Sequence, residues 1–445
     1  MQKRSILACL AAVVACGGTA SSKSAASSSA ATTSSGSDFN YVVTPHYVQA
    51  NAADVSPGQT RCDNGTFACY APAPIRGAYD VPATLDGAGQ TIVIVDAFGS
   101  PTIERDLKIF DQAFGIPDPP SFTVLCPQGC PTFAPNDVFH DEIGWSVETS
   151  LDVEWAHAIA PRANIVLVVA STSSGNAINV AEQTAIGLFP GSVMSQSFGV
   201  PEFLITANNS QVQQAISNYE VANAANITLL ASAGDFGATN GGPIVNAGFP
   251  ASLPLTTAVG GTMGNPYPFG LVKGNAKSGF TYGGEQLWNE LAAVVGEDVA
   301  TGGAPSLLFG VPSFQAGLGL SMRAIPDVSY NAAIDGGVLV AWSALFPAGS
   351  FFIVGGTSAG SPQWAGIVAL ANQANHGPLG FINGALYKLL HDPTKYARDF
   401  HDITVGNNQL GGTAPGFTAG KGWDDASGIG TPDVANLIPD LIAAK

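Results

Sequence analysis

The chain contains a serine in a setting suited to a catalytic nucleophile. Ser358 stands in the sequence Gly-Gly-Thr-Ser-Ala-Gly-Ser-Pro, after the apolar run 351–354 and before the segment 362–372, which has helical spacing. A strand, a tight glycine turn and a helix in this order would expose the hydroxyl at the positive end of the helix. An ordinary glycine-rich loop whose hydroxyls cap the helix is the other interpretation. A nucleophilic role therefore depends on a base elsewhere in the chain.

Two carboxyls are the candidates for that base, because a serine hydroxyl is a poor nucleophile until a positioned group takes its proton. Glu148 and Asp152 are four residues apart in a segment with helical spacing. Their side chains would share one helix face, about 6 Å apart. Two like charges so close cannot both ionise cheaply, so one carboxyl would keep its proton and the pKa values would split. A solvated acidic helix face is the alternative interpretation.

A third carboxyl and a rival base complete the candidate site. Asp235 follows an apolar run in the sequence Ser-Ala-Gly-Asp-Phe-Gly. A protonated, poorly solvated aspartic acid there could donate a hydrogen bond to an oxyanion, and a turn-forming aspartate is the other interpretation. Residues 356–360 also match the G-x-S-x-G elbow of histidine-dependent esterases, which would require His391 or His401 as the base. Neither histidine stands in sequence typical of that role.

The elements that must position these groups alternate along the chain. Strand-like runs and helical segments follow one another at 90–97, 103–114, 144–158, 164–170, 177–186, 192–197, 211–225, 227–232 and 256–260. This alternation predicts an α/β fold with a doubly wound, mostly parallel sheet flanked by helices. The carboxyl ends of its strands should share one edge, where sites lie in such sheets. Segment 262–325 lacks a clear period and is predicted to form loops and hairpins over that edge.

The composition limits the class of protein. With 445 residues, of which 46% are hydrophobic and 11% charged, the chain can bury a large core. Its 33 acidic and 16 basic residues give a net charge of −17. Binding to nucleic acid needs clustered lysine and arginine, so this class of partner is excluded.

The N-terminus predicts export. Residues 1–16 contain a basic start and an apolar run that is too short to span a bilayer, as in a signal peptide. The sequence Val-Val-Ala-Cys16-Gly resembles a bacterial lipobox, which would put a lipid on Cys16. Plain signal-peptidase cleavage is the alternative. Residues 17–45 are interpreted as a Ser/Ala-rich tether and residues 46–445 as one large domain. The protein is expected to be a monomer in the bacterial cell envelope or secreted.

Four further cysteines agree with export. They form two close pairs, and the economical disulfides are Cys62 with Cys69 and Cys126 with Cys130. Zinc binding by the four cysteines is the competing interpretation. The two-residue spacing of common zinc sites is absent from both pairs, which disfavours it.

Three motifs, around Glu148 and Asp152, around Asp235 and around Ser358, together resemble those of the sedolisin, or serine-carboxyl peptidase, family. The resemblance covers about residues 63–440. The resemblance implies a subtilisin-like fold in which glutamate replaces histidine. It implies that Ser358 is the nucleophile and Glu148 its general base and acid. It further implies that Asp152 orients Glu148 and that Asp235 is the oxyanion partner.

The glycine-rich tail extends the resemblance to a metal site. It is similar to the calcium loop of the family, which implies one structural Ca²⁺. The implied ligands are all oxygens, as Ca²⁺ prefers: the side chains of Asp402 and Asp424 and the carbonyls of Ile403, Gly420 and Gly422.

These observations predict an exported endopeptidase that cleaves peptides or unfolded proteins at acid pH through an acyl-enzyme. Members of the family typically carry a long folded prodomain, whereas only about 45 residues precede the predicted domain here. A surface-tethered binding protein that keeps the fold without turnover is therefore an alternative. The histidine-dependent esterase is another.

Overall fold

The computed structural model of the protein describes residues 38–60, 67–136, 141–264 and 270–445. The helices in these ranges are α1 (Pro72–Ala78), α2 (Ile103–Phe114), α3 (Glu142–Ile159), α4 (Gly175–Leu188), α5 (Ser210–Ala224), α6 (Ala292–Val295), α7 (Gly360–Asn375), α8 (Asn383–Leu390), α9 (Pro393–Asp399) and α10 (Val434–Ala444). The predicted helices 103–114, 144–158, 177–186, 211–225 and 362–372 correspond to α2, α3, α4, α5 and α7.

Many strands are short, as befits a chain with long glycine-rich connections. The strands in the described ranges are β1 (His46–Gln49), β2 (Cys69–Tyr70), β3 (Thr91–Ala97), β4 (Phe122–Leu125), β5 (Asn164–Ala170), β6 (Val193–Gln196), β7 (Val200–Pro201), β8 (Thr228–Ser232), β9 (Gly248–Phe249), β10 (Thr257–Gly264), β11 (Val272–Asn275), β12 (Gly279–Tyr282), β13 (Glu285–Leu287), β14 (Asn289–Glu290), β15 (Val299–Ala300), β16 (Ala304–Pro305), β17 (Ala324–Ile325), β18 (Val328–Asn331), β19 (Gly337–Ala341), β20 (Phe351–Gly355), β21 (Phe400–His401) and β22 (Thr431–Pro432).

The central sheet is mostly parallel. Its strand order is β13-β10-β8-β6-β3-β5-β4, and β18 also pairs with β10. Only the β10–β13 pairing in this sheet is antiparallel among the described residues. The strands are runs of aliphatic residues because both faces of the sheet are covered. The carboxyl ends of β3, β6 and β8 therefore meet at one edge, as the alternation predicted.

Helices cover both faces of this sheet. Ile92 and Ile94 of β3 point into a core that includes α3 and α7, whereas Val93 and Val95 point into a second core that includes α4 and α5. Alternate residues of one strand thus serve two hydrophobic layers, as the two-residue period of a strand requires. The predicted doubly wound α/β architecture is confirmed.

A smaller sheet contains β20, the strand that leads into the turn with Ser358. It has the order β1-β20-β19-β2, in which β1 and β19 flank β20 in antiparallel orientation. Residues 39–45, which the sequence assigned to the tether, also pack on the domain. Phe39, Tyr41 and Val43 are buried, so packed structure begins ahead of residue 46.

Segment 262–325 contains mainly loops and short antiparallel pairs in its described part. The pairs are β11 with β12, β14 with β15, and β16 with β17, which agrees with the prediction of loops and hairpins. A search of the described helices found none with the length and hydropathy of a membrane span. The predicted signal peptide, the lipobox at Cys16 and most of the tether lie outside the described residues.

Candidate active site

A sharp turn between β20 and α7 presents Ser358. Gly356 has a φ of 112°, which favours glycine. A Cβ atom at this position would lie 2.7 Å from Oδ2 of Asp235, so the space also excludes a side chain. A single 3-10 turn, Thr357–Ala359, follows and leads directly into α7. The predicted strand, turn and helix around Ser358 are therefore present, and the serine side chain is 7% exposed.

Helix α3 brings two carboxyls to this serine. Every residue of α3 except Ile143 is buried, and Glu148 and Asp152 are 0% exposed. Helix α3 therefore does not present the solvated acidic face that was the alternative interpretation of the sequence. Helix α3 packs against the turn that carries Ser358. Burial raises the pKa of Glu148, and the nearby Ser358 hydroxyl partly opposes this shift. Among the described residues the Glu148 carboxyl oxygens have no hydrogen-bond partner.

Ser197, just after β6, links Asp152 to the nucleophile. Its hydroxyl donates to Oδ1 of Asp152 at 2.8 Å. Its carbonyl accepts from the Ser358 hydroxyl at 3.5 Å. Asp152 and Ser358 therefore both contact one residue at the end of a central strand, where the parallel-sheet rule places a site.

Asp96 is a further carboxyl of the site that the sequence reasoning missed. It lies near the carboxyl end of β3 and is 0% exposed. Burial raises its pKa to about 7, and the neighbouring Thr149 hydroxyl opposes that shift. The signal that could have revealed it is an acid directly after the apolar run 92–95 of a predicted strand, at the edge where the other groups lie.

The carboxyls of the site affect one another strongly. Burial raises the pKa of Glu148 well above its ordinary value, and the charges of Asp96 and Asp235 raise it further. Burial likewise raises the pKa of Asp152, with contributions from Asp96 and Glu148. In a poorly solvated cluster each negative charge opposes the next, so protons leave the cluster one at a time. The arrangement can hold a proton and accept another at acid pH.

Asp235 is held against the serine turn from the other side. Its Oδ1 accepts hydrogen bonds from the backbone N–H of Thr357 at 2.8 Å and from the Thr357 hydroxyl at 2.7 Å. Gly234, with a φ of 106°, allows the chain to turn after β8 so that this carboxyl points back to the turn. All four predicted site residues, Ser358, Glu148, Asp152 and Asp235, are thus brought together.

A histidine that the sequence did not suggest also contacts the site. His46 of β1 is 3% exposed, and its Nε2 lies 3.4 Å from Oδ2 of Asp235. Its Nδ1 lies 2.7 Å from Glu297. Burial lowers the pKa of His46, but its hydrogen bonds with Asp235 and Glu297 outweigh this and raise the pKa to about 10. His46 is therefore a cation beside Asp235.

The histidines required by the esterase alternative lie elsewhere. His401 stacks on Tyr282 with ring centroids 3.6 Å apart, and burial lowers its pKa to about 4. His391 ends α8. Within the described residues neither makes a contact with Ser358. The geometry therefore favours a carboxyl as the base.

The predicted calcium loops are close to each other. Gly422 donates its N–H to both oxygens of Asp402 at 3.1 Å, and Gly420 donates to Oδ2 of Asp424 at 3.0 Å. The charges of both aspartates act on the hydroxyl of Tyr396, which donates to Asp402 at 2.8 Å. Ile403 is buried beside them. This set of oxygen donors fits Ca²⁺ in chemistry.

No three side chains of His, Cys, Asp or Glu in the described part of the chain could hold a metal together. The predicted calcium site uses only two carboxyls and backbone carbonyls. Cys126 and Cys130 form a disulfide, as predicted. Cys62, of the other predicted pair, lies outside the described residues.

Comparisons with known proteins find relatives over most of the chain. No family model matches the chain. Kumamolisin from Bacillus sp. (strain MN-32) is 32% identical over 423 residues, which are 92% of this chain and 70% of kumamolisin. Sedolisin from Pseudomonas sp. (strain 101) is 27% identical over 84% of this chain and 61% of its own length. The chain thus spans about two thirds of these relatives.

A solved structure extends the agreement to the fold. Pseudomonas sedolisin complexed with two molecules of pseudo-iodotyrostatin is similar with a TM-score of 0.69 and 27% identity, over 84% of this chain and 98% of that one. The predicted resemblance and the predicted subtilisin-like fold are both confirmed. The chain belongs to the sedolisin family of serine-carboxyl peptidases.

Proposed function

We propose that this protein is an exported serine-type endopeptidase that hydrolyses peptide bonds of peptides or unfolded proteins at acid pH. The observation that supports it most directly is the packing of α3, which carries the buried carboxyls Glu148 and Asp152, against the turn that carries Ser358. The esterase alternative lacks a histidine at that hydroxyl in the described residues. The grouping of Ser358 with buried carboxyls favours turnover over a silent binding protein that keeps the fold.

The first half of the reaction forms an acyl-enzyme. Oγ of Ser358 attacks the carbonyl carbon of the substrate while Glu148 takes the hydroxyl proton. Glu148 then gives this proton to the leaving nitrogen as the C–N bond breaks. In the second half, water attacks the acyl carbon, Glu148 takes its proton, and the proton returns to Ser358 as the acid product leaves.

The other three carboxyls position and stabilise. Asp152, on the same helix, would orient Glu148. Burial, and after it the charge of Asp96 when that carboxyl is ionised, raises the pKa of Glu148 and so helps it hold the proton that it gives as an acid. Asp235, when protonated, would donate a hydrogen bond to the oxyanion that forms on the substrate carbonyl. Removing one such donor typically costs about 10²- to 10³-fold in rate.

Calcium would serve structure rather than chemistry. We place one Ca²⁺ between Asp402 and Asp424, with the carbonyls of Ile403, Gly420 and Gly422 as further ligands. Bound there, the ion would neutralise two facing carboxyls and fix the loops that follow α9.

Export rests on the sequence of residues 1–16, and attachment by a lipid on Cys16 is part of the same proposal.

The test is digestion of denatured protein at pH 4 by the Ser358→Ala variant. The variant should lose activity by at least about 10⁴-fold, since the acyl-enzyme cannot form. Ser361→Ala is the matched control, because Ser361 lies on the same segment but hydrogen-bonds to Ser195 at 2.8 Å, away from the carboxyls. It should digest at a rate within about threefold of wild type. Equal digestion by wild type and Ser358→Ala would contradict the mechanism.

A further inference from the structure

Residues 39–46, here called the strap, lie against the candidate site as an extra extended strand. The backbone N–H of Tyr41 donates to the carbonyl of Ser173 at 2.8 Å, and Gly175 donates to the carbonyl of Phe39 at 2.9 Å. Val42 and Gly199 exchange two hydrogen bonds, at 3.0 and 3.1 Å. Addition of a strand through main-chain hydrogen bonds is a common way for proteins to hold an extended peptide.

The register of the strap carries it over the nucleophile. Val42 is paired antiparallel with Gly199, so Thr44, two residues on, falls opposite Ser197, two residues back. The carbonyl of Ser197 is the atom that lies 3.5 Å from the Ser358 hydroxyl. Two residues later, His46 reaches Asp235 on the far side of the serine turn. The bond between Thr44 and Pro45 therefore lies where a substrate bond would be cut.

The strap buries its side chains unequally. Tyr41 is 2% exposed, whereas Val42 is 47% exposed. The ring of Tyr41 has its centroid 4.8 Å from that of Phe198 and lies parallel to Phe249 at 6.1 Å. Among the described residues its buried hydroxyl has no hydrogen-bond partner. Burial, and after it the charge of nearby Glu182, raises the pKa of Tyr41. The pocket thus has aromatic walls and a polar floor.

We propose that the pocket filled by Tyr41 selects an aromatic side chain four residues ahead of the cut, in a substrate that lies along the groove between Ser173–Gly175 and Gly199 as the strap does. The residue ahead of the cut is counted as first, so the strap has Thr44 first and Tyr41 fourth. This inference rests on the proposed role of Ser358. It follows that the strap competes with substrate and must leave before a peptide enters.

One feature distinguishes the strap from an ordinary substrate. Pro45 makes the bond after Thr44 a tertiary amide without an N–H, and its ring fixes the backbone beyond the bond. The strap shows how the groove binds an extended chain, and its departure makes the groove available to peptides.

The test uses peptide aldehydes as inhibitors of the full-length protein at pH 4. The parent inhibitor copies residues 38–44 and ends in an aldehyde in place of the Thr44 carboxyl. Oγ of Ser358 adds to its carbonyl carbon, and the hydroxyl proton moves to the hemiacetal oxygen, so the adduct is balanced and reversible. A second inhibitor has alanine in place of the tyrosine, and a third has alanine in place of the valine that corresponds to Val42.

Replacement by alanine should weaken inhibition strongly only at the fourth position, where an aromatic ring is buried. We expect the inhibition constant to rise about 10- to 100-fold for the tyrosine-to-alanine peptide, since the free energy gained by burying a large side chain corresponds to a change of that size. The valine-to-alanine peptide should differ from the parent by less than about threefold. Equal inhibition by all three peptides would overturn the pocket and leave the proposed function intact. Failure of every aldehyde, together with no digestion of protein, would instead remove the proposed function.

Discussion

Replacement of Glu148 by glutamine is the sharpest test of a carboxyl base. The amide has the same shape but cannot take the proton of Ser358. General-base catalysis contributes typically about 10²- to 10⁴-fold. The larger value applies here, because His391 and His401 lie away from the serine and His46 is occupied by Asp235 and Glu297. We expect kcat/KM to fall about 10⁴-fold, which is about 5.4 kcal/mol of transition-state stabilisation.

The same substitution should raise the stability of the protein at neutral pH, although it lowers activity. The pKa of Glu148 is raised in the folded protein, so the folded state binds more protons than the unfolded state above the ordinary pKa of 4.5. Stability is then fully present below about pH 4.5 and is lost as pH rises. Glutamine has no charge to bury. The variant should therefore melt at the wild-type temperature at pH 4 and at a higher temperature at pH 7.

Glu154→Gln is the matched control. Glu154 lies on the same helix, is 0% exposed, and has a pKa that burial raises well above its ordinary value. Its Oε2 accepts a hydrogen bond from Ala341 at 2.9 Å, away from the serine. We expect kcat/KM on a fluorogenic peptide within about threefold of wild type and the same pH-dependent rise in melting temperature. Retention of more than a tenth of wild-type kcat/KM by the folded Glu148→Gln variant would refute the reasoning.

Three further predictions concern neighbouring groups. In Asp96→Asn, the melting temperature should match that of wild type at pH 4 and exceed it at pH 8, because burial raises the pKa of Asp96 to about 7 and its charge is costly only above that pH; equal melting temperatures at pH 8 would count against the carboxyl cluster. In His46→Gln, the loss of melting temperature relative to wild type should be largest near pH 6 and should vanish as pH passes about 10, because the raised pKa of His46 confines its contribution to lower pH. A chelator should lower the melting temperature of wild type more than that of Asp424→Asn, and equal effects would speak against the calcium site.

The sequence predicted those parts of the site that depend on local patterns. Glu148 and Asp152 share a face because a helix repeats every 3.6 residues, and Ser358 and Asp235 follow buried strands that end at one edge. These regularities operate within about ten residues. They also suffice for the alternation of strands and helices that defines the central sheet, whose main elements lie within a few residues of their predicted positions.

The sequence could not predict contacts that depend on distant pairing. His46 reaches the site because β1 pairs with β20, with His46 opposite Gly355. Nothing within the stretch Thr-Pro-His-Tyr indicates that partner. Burial of residues 39–43 is a similar case, since the rings that contact Tyr41 belong to Phe198 and Phe249, which lie far away in the sequence. Asp96 is different, because its position after a strand-like run was visible and only its meaning was missed.

The contacts of Asp235 connect the strap to the acid chemistry of the site. In the present arrangement Asp235 acts only as an acceptor, from the N–H and the hydroxyl of Thr357 and from the cationic His46. A group that stabilises an oxyanion must instead donate, which requires a proton on the carboxyl. With the strap bound, Oδ1 of Asp235 is occupied by Thr357 and Oδ2 lies beside His46, so neither oxygen is free to donate to a substrate. Departure of the strap removes His46 from Asp235, so the groove and the proposed oxyanion partner become available to substrate together.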